Sequence, residues 1–153
     1  MSNSNQIQIL LNGLIKALQE VIPQNVKIGA PSLYKQPFTQ HEAGVLIGII
    51  GDLRARIILE SKTSIFSQIG LAMYGMEING EMLESFIGEF GNMTAGKFCT
   101  YCVEQQFDLD ITPPTVMIGE TKLYGFQHAF KLPITISDLG EMNVLLTIDD
   151  DDY

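Results

Sequence analysis

Two apolar, β-branched runs, Gly44-Val-Leu-Ile-Gly-Ile-Ile50 and Arg54-Ala-Arg-Ile-Ile-Leu-Glu60, are separated only by Gly51, Asp52 and Leu53. Runs of that length on either side of a Gly-Asp turn read as a β-hairpin. The second run alternates: Arg54 and Arg56 fall on one face, and Ala55, Ile57 and Leu59 fall on the other. The pattern predicts an antiparallel sheet with one covered face. Residues 6–22 supply a candidate cover. Ile7, Leu10, Leu11, Leu14, Ile15, Leu18, Val21 and Ile22 recur at helical spacing, and Pro23 stops the helix.

The remaining segments extend this scheme. Ile28 to Tyr34 reads as loop and strand interrupted by Pro31. Ser61 or Thr63 is expected to cap a helix running through about residue 73, with Gly75 near its end. Residues 81–105 form the longest helical stretch, and Met73, Met76 and Met82 near the junction are expected in the core. Residues 108–111, 116–119, 123–136 and 142–148 read as later strands, with Pro113-Pro114 forcing extended backbone between the first two. Helix, strands, two helices and strands joined by short connections make an α+β fold, a mainly antiparallel β-sheet packed with long α-helices. Residues 1–153 read as a single domain without a linker, ending in an acidic C-terminal tail over 148–153.

Composition removes several function classes. The chain carries 9 Lys and Arg against 18 Asp and Glu, a formal net charge of −9, and its basic residues are scattered. Phosphate neutralisation needs clustered cations, so neither nucleic acid nor an anionic membrane surface is an expected partner. Two His, two Cys and no Trp leave no framework for zinc, a His-rich iron site or disulfides. Met1-Ser-Asn-Ser-Asn-Gln6 has no basic start of a signal peptide, and no apolar run approaches the ~18 residues of a membrane span. A cytoplasmic protein with reduced thiols is expected. The terminal Asp149-Asp-Asp-Asp-Tyr153 lacks the alternating ligands and Gly of a calcium loop and reads as solvated.

The chemistry concentrates in Glu84-Ser-Phe-Ile-Gly-Glu-Phe-Gly-Asn-Met-Thr-Ala-Gly-Lys97. At roughly 100° per residue, Ser85, Glu89, Asn92 and Gly96 share a narrow stripe, with Leu83, Phe86, Phe90, Thr94, Phe98 and Tyr101 opposite. A Glu and an Asn three apart also fit an ordinary solvated face. Asn, however, is a poor interior helix former, and Gly88, Gly91 and Gly96 each lower helix stability by up to ~1 kcal/mol relative to Ala. Such concessions around one polar pair suit a bare face that another backbone can approach.

Ser85, Glu89 and Asn92, continuing as Gly-Asn-Met-Thr-Ala-Gly, resemble the signature helix of the CheC/CheX/FliY phosphatases of bacterial chemotaxis. That signature is an acidic residue or Ser, Glu four later, Asn three after that, and a Pro about two turns beyond the helix. Phe107-Asp-Leu-Asp-Ile-Thr-Pro-Pro-Thr-Val-Met-Ile-Gly119 supplies the downstream element, with Pro114 as the match. The hairpin over 44–59 resembles the family's central hairpin, and the likeness runs from about residue 6 to about residue 148. CheC-type members carry two Glu-x-x-Asn sites; here the first helix has no Glu at that spacing before Asn12, so the resemblance is CheX-like. The switch-binding domain of the FliY kind is also missing from the pattern.

The resemblance implies a phosphatase acting on the aspartyl phosphate of a CheY-type response regulator, and a homodimer formed by exchange of sheet strands. It implies that Asn92 enters the regulator's site and orients the attacking water, while Glu89 pairs with the regulator's lysine. Ser85 and Gly96 would support docking. No cofactor or metal is implied for this chain, because Mg²⁺ sits in the partner's active site. Two other readings stay open: a non-catalytic regulator-binding module of the same fold, and a redox protein using Cys99-Thr-Tyr-Cys102. That C-x-x-C lies near a helix C-terminus, where the dipole does not activate a thiol, and packing is its simpler role. His128 is expected to be structural, and His41 has no evident catalytic partner.

Overall fold

The hairpin forms the centre of the sheet. β4 (Ala43–Gly51) and β5 (Arg54–Ser61) pair antiparallel, with Val45 opposite Leu59, Ile47 opposite Ile57 and Ile49 opposite Ala55. These six side chains are at most 2% exposed, and they form the floor on which the helices pack. The computed structural model describes residues 4–126 and 128–149. The terminal acids Asp150, Asp151 and Asp152 and Tyr153 lie outside the described residues.

α1 (Ser4–Val21) precedes two short strands, β1 (Val26–Ile28) and β2 (Ser32–Tyr34), and β3 (Phe38–Gln40) leads into β4. After β5 come α2 (Thr63–Tyr74) and α3 (Glu81–Glu104). The chain ends with β6 (Leu109–Ile111), β7 (Thr115–Ile118), β8 (Thr121–Leu123), β9 (His128–Ile136) and β10 (Gly140–Asp149). The main sheet runs β1-β9-β10-β5-β4-β6, with β2 also on β9 and β7 also on β4, and every pairing is antiparallel. This is the expected α+β architecture.

Burial explains the layering. Leu10, Leu14 and Leu18 of α1 and Phe90 and Phe98 of α3 are fully buried, as is Phe66 of α2. They meet Ile47, Ile57, Val144 and Leu146 from the central strands in one core. At roughly 25 cal/mol per Å² of apolar surface, a buried Leu or Phe contributes about 1.5–3 kcal/mol. Such a stripe therefore fixes which way a helix faces far more firmly than intrinsic propensity does.

Four expectations need correction. The sheet is covered on both faces: Phe38, Ile58, Ala129 and Leu145 form a second, smaller core beneath the β3–β8 ribbon. Alternation shows which residues share a face, but not what lies over it. The expected strand over 123–136 divides, because β8 leaves the main sheet to pair with β3 while β9 stays in it. Neither Ser61 nor Thr63 caps α2. The N-cap is Lys62, and the Thr63 N–H and hydroxyl both donate to Glu42 Oε1, at 3.0 and 3.1 Å. Ser61 belongs to β5 and donates to the Glu141 carbonyl. Finally, Ile148 and Asp149 are not tail: both belong to β10, and Asp149 accepts a 2.8 Å ion-pair hydrogen bond from Arg56.

Candidate functional site

α3 carries the site because its two sides meet different surroundings. Phe86, Phe90, Thr94 and Phe98 are buried towards the core, with Leu83 and Tyr101 half-buried on the same side. Phe90 packs edge-on against Phe66 of α2 at 5.9 Å between ring centroids, and Phe86 packs edge-on against Tyr74 at 5.8 Å. These contacts leave Ser85 and Glu89 exposed and Asn92 and Gly96 half-buried on the outer face. The four candidates therefore do form one stripe. Asn92 follows Glu89 by about 4.5 Å of helix rise. Among the described residues, neither the Glu89 carboxylate nor the Asn92 amide has a hydrogen-bond or ion-pair partner, so both are free to meet one.

A shallow cleft of about 590 Å³ borders the stripe. Ser85, Gly88, Glu89 and Asn92 form one wall, and Ile111, Thr112, Pro113 and Pro114 the other. Pro114 thus lies across the cleft from the stripe, where the family resemblance led it to be expected. Thr112 anchors the opposite wall through reciprocal bonds: its N–H donates to the Gly48 carbonyl at 2.9 Å, and the Gly48 N–H donates to its hydroxyl at 2.9 Å. A Cβ at position 48 would sit 2.7 Å from that hydroxyl, so β4 needs glycine there. Sequence reasoning missed Thr112. The available signal was Gly48, a glycine inside an apolar strand, which often marks close backbone approach.

The three helix glycines serve different purposes. Gly91 faces the sheet, where a Cβ would come within 2.7–2.8 Å of Val45 and Ile47. Gly88 lets the Pro114–Val116 segment approach, with Val116 Cγ2 at 3.2 Å from a Cβ built there. Only Gly96 leaves open space. The expectation of one bare face therefore holds for Gly96 alone, because helical periodicity cannot tell a glycine pressed on by neighbours from an exposed one.

The other candidate groups stand apart. Cys99 is half-buried and Cys102 buried, near the end of α3. Burial pushes the Cys99 thiol up to about 11, with help from Asp110, and the Cys102 thiol up to about 12, with help from Cys99. Both are protonated at neutral pH and poorly suited to thiolate chemistry. His128 is exposed at the start of β9 rather than structural in the core, and His41 is exposed in the β3–β4 turn. Met76 and Met82 are also exposed, against the expectation of core packing. Among the described residues, no three His, Cys, Asp or Glu side chains converge on a possible metal position. No described helix is long and apolar enough to cross a membrane.

Comparison with known proteins adds four findings. Residues 43–137 match the family described as chemotaxis phosphatase CheX. The chain is 31% identical over 146 residues to the CheY-P phosphatase CheX of Thermotoga maritima, covering 93% of this chain and 94% of that one. Its fold is similar to a CheC-like superfamily protein from Shewanella sp. PV-4, with a TM-score of 0.79, 19% identity, and coverage of 97% of this chain and 100% of that one. It is also similar to a chain in the CheX–CheY–BeF₃–Mg²⁺ complex from Borrelia burgdorferi, with a TM-score of 0.77, 23% identity, and coverage of 94% and 97%.

Proposed function

The chain belongs to the CheX family of chemotaxis phosphatases, and from that premise we propose that it hydrolyses the aspartyl phosphate of a CheY-type response regulator. The observation that carries the reading is the unpartnered Glu89–Asn92 pair on the outer face of α3, beside a cleft walled by Pro114. Hydrolysis of an acyl phosphate needs a water held in line with the leaving carboxylate and stabilisation of charge on the phosphoryl oxygens. The water oxygen bonds to phosphorus, the phosphorus–aspartate bond breaks, and the products are inorganic phosphate and the free carboxylate. The metal and the lysine come with the regulator, in keeping with the Mg²⁺ named in the Borrelia complex. This chain adds position. The Asn92 amide both donates and accepts while remaining neutral, so it can orient water beside an anionic phosphoryl group. Glu89 pairs with the regulator's lysine and fixes the register. Ser85 and Gly96 flank the contact.

The same reading makes residues 1–153 one domain acting in the cytoplasm, and a homodimer that exchanges sheet strands. The test is dephosphorylation of a CheY-type regulator in Mg²⁺, followed by loss of bound phosphate. Asn92→Ala is expected to lower the turnover by about 10²-fold or more. Undiminished turnover in that variant removes Asn92 from the mechanism. Capture of the regulator without acceleration would instead make the protein a binding module.

A further inference from the structure

The helix stripe borders a second cleft on its other flank, about 780 Å³ in volume, where α2 meets α3. Tyr74, Met76, Ile78, Met82 and Phe86 form its apolar lining. Three of them are unusually open for large apolar side chains: Tyr74 is 52%, Met76 52% and Met82 55% exposed. Single exposed apolar residues are ordinary, but three gathered in one concavity mark a contact surface. Methionine suits such a surface because its flexible, polarisable side chain moulds to a partner.

Continuity and charge identify the occupant. Ser85 and Glu89 line both clefts, so the apolar surface and the Glu89–Asn92 site form one uninterrupted patch. A transient signalling interface buries up to about 600 Å² on each partner, a footprint of roughly 14 Å radius. Met82 lies seven residues before Glu89, about 10.5 Å along the helix. A globular domain seated over Glu89 therefore extends onto the second cleft. Glu81 and Glu89 stand at its rim, and no lysine or arginine lines it. A second copy of a chain with net charge −9 would bring acid against acid.

We propose that this cleft is a second anchor for the regulator whose phosphoryl group meets Asn92, and that it receives an apolar side chain flanked by lysine or arginine. This rests on the regulator reading above. The contact lies away from the reacting atoms, so it governs association rather than chemistry.

The test is steady-state dephosphorylation of a CheY-type regulator charged with acetyl phosphate, using the double variant Met76→Ala/Met82→Ala and, separately, Glu81→Lys. Each is expected to raise KM about tenfold while kcat stays within about twofold. Asn92→Ala shows the opposite split. The mutated residues are exposed, and Glu81→Lys carries the test alone if the methionine pair disturbs the loop. Active wild type with unchanged KM in the folded variants overturns the second anchor and leaves the phosphatase reading standing. An inactive wild type overturns the phosphatase reading, and the anchor with it. A change in oligomeric mass by light scattering assigns the cleft to a second copy and also overturns the proposal.

Discussion

Gly91→Ala and Gly96→Ala make the same chemical change five residues apart on one helix, yet opposite outcomes are expected. Both gain about 0.8–1 kcal/mol of helix propensity. At position 96 nothing lies within 4 Å of the new methyl, so the gain stands and the variant should be about 0.8–1 kcal/mol more stable. At position 91 the methyl would sit 2.7 Å from Val45 Cγ1 and 2.8 Å from both Ile47 Cδ1 and Val45 Cγ2. Ordinary carbon contacts begin near ~3.5 Å, so the mismatch is about 0.7–0.8 Å. Val45 and Ile47 are fully buried and lie on a strand paired on both sides, so α3 must lift. Overpacking of this kind costs about 1–3 kcal/mol, which exceeds the propensity gain over most of its range. Urea titrations of both variants isolate the steric part, since propensity cancels in the difference. That difference should be about 1–3 kcal/mol in favour of Gly96→Ala. Equal stabilities would refute the claim that Gly91 is a packing requirement. Gly91→Ala should also lose turnover beyond its stability loss, because Asn92 is the next residue and about 1 Å of misplacement can cost ~10²-fold.

Other outcomes follow from the same geometry. Asn92→Asp, measured by phosphate release, should lose turnover much as Asn92→Ala does, because a carboxylate repels the phosphoryl group. Thr112→Val keeps the side chain's shape but removes the acceptor for the Gly48 N–H; a stability loss of about 1–3 kcal/mol is expected in urea, with a fall in turnover as the Pro114 wall loosens. Cys99 and Cys102 hold their protons to about pH 11 and 12 when folded, but only to 9.0 when unfolded. Their contribution is therefore complete below pH 9.0 and falls as pH rises through the folded values, so the urea midpoint should drop above about pH 9, less steeply in a Cys99→Ser/Cys102→Ala variant.

The sequence by itself determined the hairpin, the long helices and the face of α3, because each is written in a local period that one buried surface enforces. Val45, Ile47, Ile57 and Leu59 alternate, and Phe86, Phe90 and Phe98 recur at helical spacing. The same periods placed Ser85, Glu89 and Asn92 together, whereas the link from the downstream prolines to the site came from the family resemblance and not from any local period. The tertiary structure decided what meets what. The side-chain acceptor for the first N–H of α2 is Glu42, twenty-one residues before Thr63, and the cover on the second sheet face comes from β3 and β8, whose partners are far apart in sequence. Thr112 became a structural anchor only through Gly48, sixty-four residues away. Met76 and Met82 have the composition of a core, but they line an open cleft because α2 ends at Gly75 before it can cover them. Local periodicity fixes the direction a side chain faces; long-range packing alone supplies the neighbour it finds there.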